Sequence, residues 1–436
     1  MYVRRLQFED LRCFQTLDFT FEQPSGQYAG WVVITGDNGS GKTALLRALS
    51  LCLVGPDVAR ALEGEARQWI RRGCQRASFG AQVVLDRSLD RFVDSGKAAR
   101  EPFWAELEIG SGPAATNGSV VLAQAPPERR RARGKRSAAR GPWAAASAGW
   151  FCAGYGPYRR IYGASQEAAR LMTLPGPVGR FVSMFREDAA LTEAQLWAKD
   201  LEYRRLVQSD GTSHRALAAL QSLANDGFLP GGVRMERVDA DGLWLADREG
   251  VVLPVGEMGD GRRAAMAMLT DMVRHMVEVY GVDDLLETGP DGVPRIARPG
   301  VVLIDEIDAH LHPEWQRHLG FWLRDHFPHV QFIVSSHSPL VCPAADEMMV
   351  FLLPAPGSGE VPRQVTRREY EAVIRATADD ILLGPAYNLR HTRSPRAVAA
   401  RHRYSELWAK RRAVGLTDAE DAQLKLDLKF TDAPYD

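Results

Sequence analysis

Gly36-Asp37-Asn38-Gly39-Ser40-Gly41-Lys42-Thr43 has the spacing G-x-x-x-x-G-K-[ST]. In such a loop the glycines let backbone N–H groups close around phosphate oxygens. Lys42 is placed to reach the β- and γ-phosphates, and the Thr43 hydroxyl to ligate Mg²⁺. Val301-Val302-Leu303-Ile304 runs into Asp305 and Glu306. Four apolar residues followed by two acids read as a buried parallel strand with carboxylates at its ligand-facing end. Asp305 is the candidate Mg²⁺ ligand, directly or through water, and Glu306 the candidate general base or water-orienting group. Gln331-Phe332-Ile333-Val334 leads in the same way into Ser335-Ser336-His337-Ser338-Pro339. That puts His337 at a strand's carboxyl end, within reach of a γ-phosphate. Together the three stretches imply hydrolysis of a nucleoside triphosphate with Mg²⁺.

These groups need a scaffold, and the flanking sequence supplies one. Trp31-Val32-Val33-Ile34-Thr35 is a β-branched apolar run ahead of the loop, and Ala44-Leu45-Leu46-Arg47-Ala48-Leu49 behind it has helix formers at helical spacing. Strand, loop and helix N-terminus together make an anion site. Pro313 predicts the start of a helix running to about His326, since proline suits the first helical turn. Val3–Phe8, Leu17–Phe21, Ala81–Leu85, Phe103–Ile109 and Ser119–Leu122 predict further strands, an antiparallel addition to the central sheet. Residues 230–255 predict a hairpin turning at Asp241-Gly242. His310 and His312 lack further ligands at zinc-like spacing and read as interface or turn residues. His275, His391 and His402 read as surface or packing residues.

The bulk numbers narrow the class. The chain has 436 residues, 45% of them hydrophobic and 25% charged, with a formal net charge of −1. This is globular composition with no global field toward nucleic acid or membrane, so any such binding needs a local patch. Arg129 to Arg140 is one, with seven basic residues and no acid, and reads either as a site for DNA or RNA or as a solvated insert. Five scattered cysteines without a C-x-x-C pair suit a reducing cytoplasm. No run reaches membrane-spanning length, so neither a membrane partner nor a signal peptide is expected. The predicted organisation is an N-terminal lobe with the phosphate loop (1–128), a basic flexible loop (129–149), a return strand and turn (150–164), a helical insert (165–229), a C-terminal lobe with the acids and His337 (230–369), and a helical tail (370–436).

The ordered set resembles the ABC-type ATPases of the SMC/RecF class. Gly36–Thr43 matches their Walker A loop, Val301–Glu306 their Walker B strand and glutamate, Asp308 the D-loop, and Ser336-His337-Ser338 the switch histidine. Lys42 and Asp305 stand 263 positions apart, a wider spacing than in the transporter branch. Asp305-Glu306-Ile307-Asp308-Ala309-His310-Leu311-His312-Pro313 and the tail from Ala378 to Arg412 resemble the short-insert defence branch, Septu PtuA-like and retron-associated ATPases. The resemblance implies an α/β P-loop NTPase fold, an ABC ATPase head with a mixed central sheet, antiparallel β addition, helical insert and helical C-terminal tail. It implies ATP held between two copies, as a homodimer or an assembly of dimers. Gly259-Asp260-Gly261 then stands as the signature loop reaching the partner's phosphate, ahead of a helix from about Ala264 to Val279, with Asp308 at the seam. The family places a serine where Gly259 stands, which leaves backbone N–H groups as the donors there. Tyr155-Gly156-Pro157 occupies the place of the family's Q-loop without its glutamine.

Three functions fit this reading. The first is a defence ATPase controlling a separate nuclease or toxin. The second is a RecF-like DNA-repair or clamp ATPase. The third is a scaffold latched by ATP with little hydrolysis.

Overall fold

A computed structural model describes every residue except 94–100, 111–120, 127–137, 146, 161, 175, 209–210, 385–386, 388 and 429–436. Most of the basic stretch Arg129–Arg140 therefore lies outside the described residues.

In chain order, β1 (Tyr2–Leu11) and β2 (Phe14–Thr20) form a hairpin, and β3 (Gly30–Gly36) delivers the phosphate loop to helix α1 (Lys42–Leu62). Strands β4 (Ala77–Val84), β5 (Phe103–Gly110), β6 (Val121–Gln124) and β7 (Cys152–Tyr155) follow. Helices α2 (Gln166–Met172), α3 (Val182–Phe185), α4 (Thr192–Gln208) and α5 (Gly211–Leu223) make up the helical insert. Next come β8 (Arg234–Asp239), β9 (Gly242–Ala246), β10 (Val252–Pro254) and α6 (Asp260–Tyr280). A short ladder of β11 (Glu287–Thr288) and β12 (Pro294–Arg295) precedes β13 (Gly300–Ile304), α7 (Pro313–His326), β14 (Val330–Ser335), β15 (Val350–Leu353), β16 (Arg363–Gln364) and α8 (Arg367–Arg375). The chain divides after Arg375, and the second unit holds α9 (Ala378–Leu383), α10 (Pro395–Ala413) and α11 (Asp418–Leu428).

Among the described residues the central sheet has the order β16-β15-β3-β14-β13-β7. Five of its strands are parallel and β16 alone runs antiparallel. The near-continuous apolar runs of β3, β13 and β14 follow from burial on both faces. Strand β14 lies between the phosphate-loop strand and the acid-bearing strand, so the carboxyl ends of all three meet at one edge. The predicted antiparallel addition is a sheet of its own, ordered β2-β1-β4-β5-β6.

Gln331, fully buried on β14, links the two sheets. Its amide accepts from Val3 N (2.7 Å) and donates to Val3 O (2.9 Å), standing in for a strand partner where the β1–β4 register shifts. Helix α1 breaks at Gly55 (φ 83°), just before Pro56. Proline cannot donate to the carbonyl four residues back, and the Trp143 indole N–H takes that place on Cys52 O at 2.7 Å. A Cβ on Gly55 would stand 2.5 Å from the Trp143 ring, so only glycine fits there.

One boundary differs from the sequence reading. Helix α6 begins at Asp260, four residues before the expected Ala264. Gly259 is its extended N-cap residue (φ −59°, ψ 151°), and Asp260 and Gly261 form its first turn rather than a preceding loop. An acid in the first turn complements the helix dipole and accounts for the earlier start. Further along, α6 is tied to β7: the Tyr155 hydroxyl donates to buried Asp271 (3.2 Å), which also pairs with Arg274 and His275.

Candidate active site

The phosphate loop folds as its glycines predict. Gly36, Gly39 and Gly41 have φ of 151°, 77° and 101°. Gly41 caps α1, and a Cβ there would stand 2.5 Å from Cys13 Sγ and 2.7 Å from Phe14 Cζ. Asp37, Asn38 and Gly39 form an exposed rim, while Ser40 and Lys42 are buried beneath it. Lys42 Nζ donates to Gly36 O (2.7 Å) and Asp37 O (2.9 Å). Burial lowers its pKa, opposed by the negative charges of Asp305, Glu306, Asp37 and Asp308. The Lys42 ammonium group thus lies within the field of four acids at the mouth of the loop.

The acids are set by Ser335, at the end of β14. Its hydroxyl donates to Asp305 Oδ1 (2.5 Å) and accepts from Glu306 N (2.8 Å). The other Asp305 oxygen, Oδ2, is buried and has no hydrogen-bond partner among the described residues. A buried carboxylate oxygen left alone costs free energy, on the order of 1–3 kcal/mol, unless a cation completes it. Thr43 lies at the start of α1, and Ser40 Oγ is likewise buried and unpartnered. This donor set fits a hard, oxygen-loving cation of the Mg²⁺ kind.

Arg159, a residue that no sequence motif pointed to, holds the turn that carries Glu306. It is 4% exposed. Its guanidinium donates to Gly156 O (3.3 Å), Asp305 O (3.0 Å) and Glu306 O (3.0 Å). Glu306 itself has φ +47°, a strained conformation for a non-glycine residue. Ser335 fixes its N–H and Arg159 its carbonyl, and so the strain is held from both sides. Burial pushes the Arg159 pKa down to about 10, against the pull of Asp305, Asp308 and Glu306. Because Arg159 follows Tyr155-Gly156-Pro157, the turn at the Q-loop position reaches the acids through an arginine.

Asp308 is committed within its own chain. Its Oδ1 accepts from Ser336 Oγ (2.6 Å) and His337 N (3.2 Å), which orients the backbone that carries the His337 ring. Gln316 adds a brace, donating to Leu311 O (2.8 Å) and accepting from Ser338 Oγ (2.6 Å). His312 caps α7, its Nδ1 accepting from Glu314 N at 3.4 Å, and His310 sits in a turn at φ +64°. Gly261 packs on that turn, since a Cβ there would stand 2.4 Å from His310 O. Gly259 meets open space. The amino end of α6 thus rests on its own chain through Gly261 and faces outward through Gly259. A cavity of about 450 Å³ beside it is lined by Tyr158, Arg160, Tyr162, Asp260, Arg263 and His310, among others.

Comparison with known proteins adds two matches to family models. Residues 5–78 match an AAA domain, and residues 243–342 an AAA domain described as putative AbiEii toxin, Type IV TA system. The first spans the phosphate loop, and the second spans the signature position, both acids and His337. The chain is 34% identical over 128 residues to the Retron Ec83 probable ATPase of Escherichia coli, which covers 29% of this chain and 22% of that protein. It is 37% identical over 94 residues to the Retron Vc95 probable ATPase of Vibrio cholerae serotype O1 biovar El Tor, covering 22% and 16%. Septu protein PtuA of Bacillus mycoides (strain KBAB4) is 36% identical over 84 residues, covering 19% and 10%.

The chain is similar, over these segments, to AAA-domain ATPases of the retron and Septu PtuA kind.

It spans no more than about a quarter of the length of these curated relatives. Among solved structures, an Smc head bound to the C-winged helix domain of ScpA overlays with a TM-score of 0.47 at 14% identity, covering 84% of this chain and 98% of that one. That overlay is loose, and the likeness to P-loop ATPases rests on the strand order, the phosphate loop and the family matches. No helix among the described residues is long and apolar enough to cross a membrane.

Proposed function

We propose that this chain binds ATP with Mg²⁺ and hydrolyses it between two copies, and that the cycle controls a separate effector such as a nuclease or toxin in anti-phage defence. The observation that carries the reading is the meeting of Lys42, Asp305 and Glu306 at one sheet edge, with Asp305 Oδ2 buried and unpartnered. Lys42 and the loop N–H groups bind the phosphates. Thr43 and Asp305 would hold Mg²⁺, which would supply charge neutralisation for the triphosphate. Glu306 takes the proton of the attacking water, and His337 contacts the γ-phosphate. The nucleoside end of ATP occupies the cavity of about 320 Å³ beside Gly39 and Ser40, walled by Phe14, Arg71 and Pro356 among others.

The outward-facing amino end of α6 supports a two-copy site. Gly259, Asp260 and Gly261 of each copy would meet the other's γ-phosphate through backbone N–H groups, with Asp308 at the seam. ATP then binds the closed pair better than the open one, and loss of the γ-phosphate releases it. The names of the retron and Septu relatives support the defence setting. DNA or RNA at Arg129–Arg140 and a cytoplasmic location belong to the same proposal. The test is mass by light scattering, with and without ATP and Mg²⁺, after co-expression with the neighbouring genes. An ATP-dependent dimer, or a complex with a co-expressed nuclease, is expected. A mass indifferent to nucleotide, with no such complex, points instead to the constitutive scaffold.

Arg159 gives a sharper check on the site. Arg159→Ala leaves the carbonyls of Asp305 and Glu306 without their donor and frees the strained turn. Turnover is expected to fall about 10- to 100-fold, the loss of one to two interactions of ~1.4 kcal/mol each. KM for ATP should hold, because the loop and Lys42 are untouched. Arg159→Lys should recover only part, since one ammonium cannot span three carbonyls. Steady-state kinetics that show a raised KM at constant kcat would remove Arg159 from the positioning of Glu306.

A further inference from the structure

The second unit contains a cavity of about 450 Å³ walled by Leu383 and by Arg390, His391, Arg393, Arg401 and His402, among others. Its chemistry is unlike that of the chain as a whole. From Arg390 to Arg412 there are eight arginines and lysines and a single acid, Glu406, in a protein of net charge −1. Helix α11 answers part of this charge: Arg403 pairs with Asp427 (2.9 Å), Lys410 with Glu420 (2.5 Å) and Arg411 with Asp421 (3.7 Å). Those residues lie on the side of α10 toward α11. Val398, Arg401, His402 and Ser405, at helical spacing, line the cavity on another side. Among the described residues neither Arg390 nor Arg401 is in an ion pair, and both are exposed. Arg390 and Arg401 thus line a concave site together.

Carboxylates or phosphates would both satisfy arginine forks. The neighbouring aromatic residues favour the second. Trp408 is 40% exposed and lies parallel to Tyr404 (6.3 Å between centroids, 9° between planes). Arg411 and Arg412 stand over the Trp408 ring at 5.7 and 5.6 Å. A basic groove next to an exposed ring edged with arginine suits unpaired bases on a charged backbone. We propose that the second unit binds single-stranded nucleic acid, with backbone phosphates in the Arg390–Arg401 cavity and a base against Trp408. Its residues are other than those of the Arg129–Arg140 stretch, and the proposal does not depend on ATP hydrolysis.

The test uses the full chain and labelled oligonucleotides of about 20 nucleotides as single-stranded DNA, single-stranded RNA and duplex DNA. Anisotropy is followed from about 50 to 200 mM salt. Single strands should bind more tightly than duplex. Arg390→Ala with Arg401→Ala should weaken binding about tenfold or more and reduce the log–log salt slope by about 1.4, two phosphates at ~0.7 each. Trp408→Ala should weaken binding with the slope unchanged. ATP affinity, unaffected by either variant, reports that the protein is folded. The proposal is overturned by an unchanged slope in the double variant, by a preference for duplex, by no binding in the parent protein, or by binding lost only when the basic residues of Arg129–Arg140 are replaced.

Discussion

Glu306→Gln is expected to slow ATP turnover by about 10²- to 10⁴-fold, the span that a positioned general base supplies, equal to about 3–5 kcal/mol of barrier. The expected loss is this specific because the residue's backbone is what the structure holds. Ser335 Oγ accepts from Glu306 N, and Arg159 donates to its carbonyl. Neither bond uses the carboxylate, so the amide should sit where the acid sat. Only proton acceptance is removed. Lys42 and the loop remain, so ATP should still bind, and the pair closed by ATP should persist for lack of hydrolysis. Single-turnover kinetics and mass by light scattering together read both effects. Near-parental turnover in this variant would exclude Glu306 as the base.

The second large effect is expected at Lys42. Lys42→Ala removes the cation that faces Asp37, Asp305, Glu306 and Asp308. ATP binding should fall below detection at millimolar nucleotide, and the ATP-induced rise in melting temperature should vanish. In the parent protein that rise reflects about 2.7 kcal/mol at a hundredfold excess over Kd. The nucleotide-free protein behaves differently. Burial lowers the Lys42 pKa, so the charged form is disfavoured in the folded state relative to the unfolded one. This cost is in full force well below the lowered pKa and fades as pH rises toward the ordinary value of 10.5. Lys42→Met, which keeps the stem without the charge, should therefore melt no lower than the parent at pH 7 without nucleotide. Thermal melts with and without ATP check both statements. A retained ATP shift in Lys42→Ala would separate Lys42 from phosphate binding.

Sequence alone brought out the parts of the site whose backbone demands leave a signature. The glycines at 36, 39 and 41 are required by positive φ, and those at 36 and 41 also by neighbours too close for a Cβ. The apolar runs ending at Asp305 and Ser335 are required by a sheet buried on both faces. Proline at 313 marks the start of α7. The supporting residues left no such mark. Arg159 acts on carbonyls 146 and 147 positions away, and Gln331 reaches Val3 across 328. Contacts of that range depend on which strands become neighbours, and no local pattern encodes it. Ser335 belonged to the stretch singled out for His337, yet its bond to Asp305 follows only from the parallel β13–β14 register. The early start of α6 was hidden for a simpler reason: two glycines beside Asp260 look like a loop until the helix dipole is considered.

Strand β14 holds something at each end. Near its start Gln331 grips the backbone of β1, and at its finish Ser335 grips both acids. Four positions along the strand separate those two grips, about 13 Å of extended chain. An extended strand flanked by parallel neighbours resists stretching, so it can serve as a push-rod. A load on the antiparallel sheet, from whatever docks there, would arrive at Glu306, the proposed general base, as a displacement of its turn.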